Sequence, residues 1–302
     1  MADRIKLGIL VPFGDIGGDP KTVKDFAQAA EDIGFDDLAV PDHVLGVNAA
    51  SRPDWGARNT SADLFHDPFV VCGYLSGVTQ RIGFSTQVLI LPQRQTVLVA
   101  KQAACLDVLC GGRFRLGVGV GWNDVEFVGL NENFRNRGKR SEEQVQVMQQ
   151  LWAAPHVTFE GKYHHIDDAG INPLPAARRV PVWYGGAEDV TLRRVARYGD
   201  GWMPNAFGPG DEARATFDTL RRYVEEAGRD PASIGLEPWV SVGTGTPTEW
   251  RATAAAWKAL GVSRLCLTTT FGRRGHVRIE GRAMQDHLAA MTAYRDAVAD
   301  VL

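Results

Sequence analysis

An aspartate and a histidine stand side by side in VPDHV, residues 40–44, directly after a short apolar run that reads as a β-strand. A carboxylate beside a titratable imidazole can handle protons, and at a strand's end it faces whatever binds there. Asp42 and His43 are therefore the first candidate site residues, with His43 as acid, base or a ring that stacks on a ligand. The second candidate is VWYGGAEDV, residues 182–190, where an apolar strand runs into Gly185, Gly186 and Ala187 before a helix. The free amides of such a turn form a concavity that suits an anion. An ordinary strand-to-helix turn reads the same way, and Glu188 and Asp189 would oppose an anion if they pointed inward. The third is RFRLGVGVGWNDVEF, residues 113–127, in which Gly117, Gly119 and Gly121 alternate with valines. Two phosphate-loop readings fail, because Trp122 stands where a dinucleotide fingerprint needs glycine and no Gly-Lys-Ser/Thr triplet follows. In a strand this alternation leaves one face bare. A bare face makes room for a flat ligand against the backbone, or relieves crowding in a narrow barrel.

The elements that must position these residues follow from periodicity. Strands near 5–13, 36–41, 81–91, the glycine-alternating stretch, 179–184, 201–204, 236–242 and 264–270 alternate with helical segments. Eight βα units in about 300 residues predict an α/β fold, a (β/α)8 TIM barrel forming one domain over 1–302. An open doubly wound sheet is the competing arrangement. In a barrel the active site lies at the C-terminal ends of the strands. Two long irregular segments, about 46–65 and 155–179, are then insertions that wall or cover that face.

Composition removes several functions. The chain is 44% hydrophobic and 23% charged, with a formal net charge of −3, so a nucleic-acid partner is not expected. No apolar run is long enough for a membrane helix, and MADRIKLGILVPFG lacks the basic segment and long core of a signal peptide. Cys72, Cys105, Cys110 and Cys266 show neither metal-ligand spacing nor a C-x-x-C pair, which predicts free thiols and a cytoplasmic setting. None of the histidines is spaced for a metal site, so none is expected. Trp55, Phe65, Trp122, Trp183, Trp202 and Phe207 fall near the predicted mouth and suggest an apolar or aromatic small-molecule partner.

The segments AEDIGFDDLAVPDHV, TQVLILPQRQTVLVAKQAACLDVLCGGRFRLGVGVGWNDVEF, RGKRSEEQVQVMQQLW, VTFEGKYHHI and VPVWYGGAEDVTLRRVARYGDGWMP together resemble the luciferase-like monooxygenase superfamily, nearly end to end. GVGVGWNDVEF is most similar to members that use coenzyme F420, a deazaflavin; relatives that use FMN share the frame. The resemblance implies an oxidoreductase that moves a hydride between coenzyme F420 and a small organic substrate. An FMN-dependent monooxygenase fed by a separate reductase is the alternative, and a homodimer is typical. It implies that Asp42 and His43 lie beside the ring and that His43 is the catalytic residue, as proton donor or as the group positioning substrate against the ring's C5. It places a non-proline cis peptide at Gln87-Val88, with Gly119, Gly121 and Asn123 at the ring's border. Gly185, Gly186 and Ala187 would hold the phosphate. Trp122 replaces a glutamate that several deazaflavin dehydrogenases carry, and neither Asp124 nor Glu126 is assigned that role. Arg273, Arg274 and Arg278, or Arg135, Arg137, Lys139 and Arg140, are candidate cations for an acidic cofactor tail.

Overall fold

The computed structural model describes residues 4–56 and 58–302; residues 1–3, and Ala57 inside the expected 46–65 insertion, lie outside the described residues. In chain order the strands are β1 (Lys6–Leu10), β2 (Asp37–Val40), β3 (Gly83–Thr86), β4 (Leu89–Ile90), β5 (Phe114–Gly119), β6 (Val157–Glu160) and β7 (His165–Ala169). They continue with β8 (Val182–Gly185), β9 (Gly201–Met203), β10 (Gly235–Leu236), β11 (Trp239–Ser241) and β12 (Arg264–Thr268). The helices are α1 (Phe13–Ile16), α2 (Pro20–Ile33), α3 (Pro68–Ser76), α4 (Thr96–Leu109), α5 (Asp124–Gly129) and α6 (Arg137–Ala153). The last four are α7 (Asp189–Tyr198), α8 (Asp211–Glu226), α9 (Pro247–Ala259) and α10 (Met284–Val298).

Parallel pairing runs β9–β8–β5–β3–β2–β1–β12, with β10 on β9 and β11 on β12. Residues 235–241 form one passage of chain interrupted at Glu237-Pro238. The Glu237 amide donates to the Trp202 carbonyl at 2.9 Å, while the Cys266 amide donates to the Pro238 carbonyl at 3.0 Å. That passage therefore joins both ends of the sheet and closes it into the (β/α)8 barrel, which removes the doubly wound alternative. Pro238 has no amide of its own to give, which is why the ladder is cut in two there.

Helix ends follow the sequence. The Asp19 side chain accepts from the Thr22 amide ahead of Pro20, and Gly34 closes α2 at φ +99°. Asp67 caps α3 through the amides of Phe69 and Val70, and Thr246 with Glu249 forms a capping box on α9. Three departures matter. The stretch expected as one strand to Phe127 is strand only to Gly119; the chain turns at Gly121, φ +74°, and α5 follows. The expected strand over 81–91 is split into β3 and β4 at Gln87-Val88, whose peptide is cis. The second insertion holds the antiparallel β6–β7 hairpin.

The lower lumen is filled by charge rather than hydrocarbon. Arg115 bonds Glu237 at 2.7 Å and lies 3.5 Å from Asp37, which also pairs with Arg264. The Arg115 guanidinium packs 4.6 Å from the Trp183 ring centre, so Trp183 belongs to the floor and not to the mouth. Outside the barrel, Glu31 of α2 accepts the amides of Gln80, Arg81 and Ile82 and fixes the start of β3. Burial pushes this carboxyl up, but the three amides outweigh burial and hold it below its ordinary value of 4.5. Its stabilisation is complete above that value and is lost as pH falls through the lower folded value. Glu31→Gln should cost about 2 kcal/mol near neutral pH. In urea titrations the gap from the parent chain should narrow as the pH is taken below 4; a gap independent of pH would contradict this.

Candidate active site

A cavity of about 700 Å3 opens at the C-terminal ends of the strands, within the range of small-molecule and cofactor sites. His43, just beyond β2, is on its wall. The Nδ1 of His43 lies 3.0 Å from Oε2 of Glu126 on α5. A carboxylate can only accept, so Nδ1 carries the proton and Nε2 is left with no hydrogen-bond partner among the described residues. Glu126 is fully buried; its Oε1 accepts the amides of Val44 at 2.8 Å and Leu45 at 3.2 Å. Burial pushes the Glu126 carboxyl up, but the His43 hydrogen bond and charge, with the two amides, overrule it and hold it below the ordinary range. Glu126 is thus an ionised group that orients the ring.

Sequence reasoning gave Glu126 no role. Its spacing from Asn123 is that of a capping box, and Asn123 does cap α5 through the amides of Val125 and Glu126. The glutamate then turns outward to residues 43–45 instead of back to its own cap.

Asp42 is buried and lies at the cavity wall, yet both of its oxygens are used by the protein. Oδ2 accepts the Ile90 amide at 2.9 Å, and Oδ1 accepts Arg94 Nη2 at 2.7 Å. Burial pushes its carboxyl up, with Arg94 and the Ile90 amide pulling against it. Arg94 also reaches the helix cap Asp67 at 2.9 Å. Asp42 is therefore a post that ties β2 to β4, and its neighbour in sequence faces the ligand.

The bare face of β5 is not open space. A Cβ on Gly117 would overlap the Thr86 carbonyl, and Gly117 does not line the cavity. A Cβ on Gly119 would come within 2.5 Å of Val88 Cγ2, and one on Gly185 within 2.8 Å of Val88 Cγ1. The glycines of two neighbouring strands thus make room for Val88, which joins Gln87 on the cavity wall. The sequence reading of a face bared directly for a ligand is corrected: a side chain from the adjoining strand occupies that volume. Gln87 accepts the Trp239 indole N–H through Oε1, while its buried Nε2 has no partner. Asn123 and Ala187 are not on the wall; Asn123 is spent on its helix cap, and Ala187 is exposed.

Gly185 and Gly186 do line the cavity, the latter at φ +114°. Asp189 is drawn away from the turn by Tyr223 at 2.6 Å and Arg193 at 2.9 Å, and Glu188 is exposed and off the cavity wall, which weakens the objection to an anion there. Trp202 is fully buried, packs with Phe207 and Phe217, and donates to the Gly186 carbonyl at 2.7 Å. It shapes the turn from behind. Phe65, Trp122, Trp239 and Phe271 are the aromatic walls. Trp239 escaped the sequence reading, whereas Phe271 falls at the end of the eighth expected strand.

Trp122 meets the His43 ring at 6.0 Å and the Trp55 ring at 5.6 Å, with the Arg58 guanidinium 4.3 Å from its centre. It fastens the first insertion over the cavity. Of the candidate cations, Arg274 and Arg278 line the cavity, joined by Arg282, and Arg273 does not. Arg137 and Arg140 bond the Gly121 carbonyl and Glu132 respectively, and neither they nor Arg135 and Lys139 reach the wall. Among the described residues no group of three or more His, Cys, Asp and Glu could hold a metal, and no helix is long and apolar enough to cross a membrane.

A closed parallel barrel with a histidine–glutamate pair at the rim of an aromatic cavity defines a barrel enzyme that binds small molecules. The chain belongs to the luciferase-like monooxygenase family, whose model matches residues 5–298. An uncharacterised protein of Mycobacterium tuberculosis is 35% identical over 210 residues, covering 67% of this chain and 71% of its own. The pyrimidine monooxygenase RutA of Allorhizobium ampelinum is 30% identical over 253 residues, 76% of this chain and 65% of the relative. A solved F420-dependent secondary alcohol dehydrogenase, in complex with an F420–acetone adduct, shares the fold with a TM-score of 0.76. It is 20% identical, and the match covers 98% of this chain and 99% of that one.

Gly119→Ala should lower stability by about 1–3 kcal/mol through overpacking against Val88. Adding Val88→Ala should recover part of that loss, so the double variant costs less than the sum in denaturant titrations. Strict additivity would show that the two residues do not share this volume.

Proposed function

We propose that this chain is an oxidoreductase that moves a hydride between coenzyme F420 and a small organic substrate. The observation that carries the reading is His43, held by a buried carboxylate with Nε2 left free at the cavity wall. A deazaflavin does not readily activate oxygen, so its chemistry asks the protein for a proton donor or acceptor beside the substrate.

The residues present fit such a ring. The Val88 methyls, backed by Gly119 and Gly185, give an apolar surface, and the orphaned Gln87 Nε2 is a buried donor for a ring carbonyl. Gly185 and Gly186 offer bare backbone for a phosphate. The ring's neighbours in this reading are His43, Gln87, Val88, Gly119 and Gly121, with Asp42 acting through β4. When bound, the deazaflavin supplies the carbon that gives or takes a hydride. His43 Nε2 gives or takes the proton on the substrate heteroatom. Glu126 keeps the other ring nitrogen protonated, fixes the ring plane and balances the charge when both nitrogens are protonated. Trp122, Phe65 and the insertion they hold exclude water from that exchange.

The likeness to RutA favours a second reading, in which reduced FMN and oxygen act on the substrate and a separate reductase supplies the flavin. In either reading we propose one barrel domain that works as a homodimer. Supporting this, α3 and α4 present Val70, Tyr74, Leu98 and Leu109 to the outside, an apolar face that water covers poorly. The unpaired cysteines suit a reducing cytoplasm.

Titration of the protein with coenzyme F420 and with FMN, followed by cofactor fluorescence, separates the readings. Coenzyme F420 should bind and FMN should compete poorly; tight FMN binding with no response to F420 would overturn the first reading. In an assay of F420 reduction or oxidation across alcohols, ketones and imines, His43→Ala and Glu126→Gln should each lower turnover by roughly 10²–10⁴-fold. Cofactor affinity should change far less, and unchanged turnover would remove the pair from the chemistry.

A further inference from the structure

Three arginines, Arg274, Arg278 and Arg282, line the same cavity as His43. Two are already aimed. Arg278 Nη2 bonds Asp15 at 2.8 Å, on a carboxylate only 5% exposed, and its Nε bonds the Ile279 carbonyl at 3.1 Å. Arg274 Nη1 bonds the Asn205 side chain at 2.7 Å. The Arg282 guanidinium has no hydrogen bond or ion pair to any side chain or carbonyl among the described residues. The carboxylates on the wall cancel only part of this charge. Asp42 is paired with Arg94 and Asp15 with Arg278, while Asp63, bonded only to Thr60, keeps a single negative charge against the two remaining arginines. Arg274 and Arg282 therefore leave uncompensated positive charge on one side of an otherwise aromatic cavity.

The position of that charge tells which ligand it serves. Gly185-Gly186 follow the fifth strand around the barrel, whereas residues 274–282 follow the eighth, three strands away in a ring of eight. The arginine rim thus rises from a different strand end than the glycine turn; Arg274 reaches back to Asn205, past the sixth strand, while Arg278 and Arg282 stay with the eighth. We propose that the arginine rim recognises the carboxylate of the substrate, which is an aromatic or otherwise apolar organic acid. The guanidinium forks suit a planar two-oxygen group, and Trp239 and Phe271 beside them suit an apolar body. This deepens the proposed redox reading and rests on it for the word substrate; the acid-binding site itself does not.

The experiment compares phenylacetate with phenylacetamide, and 3-phenylpropionate with its amide, by calorimetry on the protein with and without coenzyme F420. Each acid should bind at least about tenfold more tightly than its amide, with the preference weakening as sodium chloride is raised. Arg282→Met and Arg274→Met, neither of which strands a buried carboxylate, should abolish the preference and leave the F420 dissociation constant within about twofold. Equal binding of acids and amides, or a preference that survives both variants, would overturn the proposal. So would a loss of F420 affinity as large as the loss for the acids, which would assign the rim to the cofactor's acidic tail. Acid preference without any cofactor binding would sink the redox reading and keep this one; cofactor binding without acid preference would do the reverse.

Discussion

One buried carboxylate organises the mouth of this barrel. Glu126 has lost all contact with solvent, and an ionised group in that position persists only where its lone pairs are fully engaged. Here the engagement comes from a ring nitrogen and two consecutive amides of residues 43–45, with Gln93 Nε2 as a longer fourth donor at 3.4 Å. The chain after the second strand is thereby locked to the helix after the fourth, across the third. The orientation of His43, the start of the first insertion and the course of α5 are consequences of the same set of bonds. Removing the side chain would leave two amides and an imidazole without their acceptor, so structure and chemistry share a single point of dependence.

A second dependence is steric. Val88 projects from the break between β3 and β4 into space that Gly119 and Gly185 vacate. Any larger residue at either glycine would press on Val88 and force it toward the cavity that it lines. The floor of the cavity is thus set by three residues from three strands, none of them polar.

How much of this could be read from sequence differs by feature. Alternation of strand and helix, the caps at Asp19 and Asp67, and the placement of Asp42-His43 at a strand end are local signals, and they sufficed for the barrel. The glycine alternation was visible, but the identity of the group filling the vacated volume was not, since Val88 lies about thirty residues earlier and on another strand. Glu126 was hidden for a different reason: the stretch to Phe127 reads as one strand, and the glutamate's partners at residues 43–45 lie about eighty residues earlier. The aromatics were misassigned where strands are very short. β9 has three residues and β11 three, too few for periodicity to say which of Trp202 and Trp239 faces the lumen. The β6–β7 hairpin escaped because its second strand is mostly exposed and polar, with no apolar alternation to mark it.

The ion cluster of Arg115, Glu237, Asp37 and Arg264, backed by Trp183, has a consequence for traffic. It stoppers the barrel from below, leaving a vessel with one doorway. In the reading we propose, cofactor and substrate then enter and leave on the same side. Whichever seats deeper, toward Val88 and Gln87, is covered by the other, an arrangement that favours its arriving first and departing last.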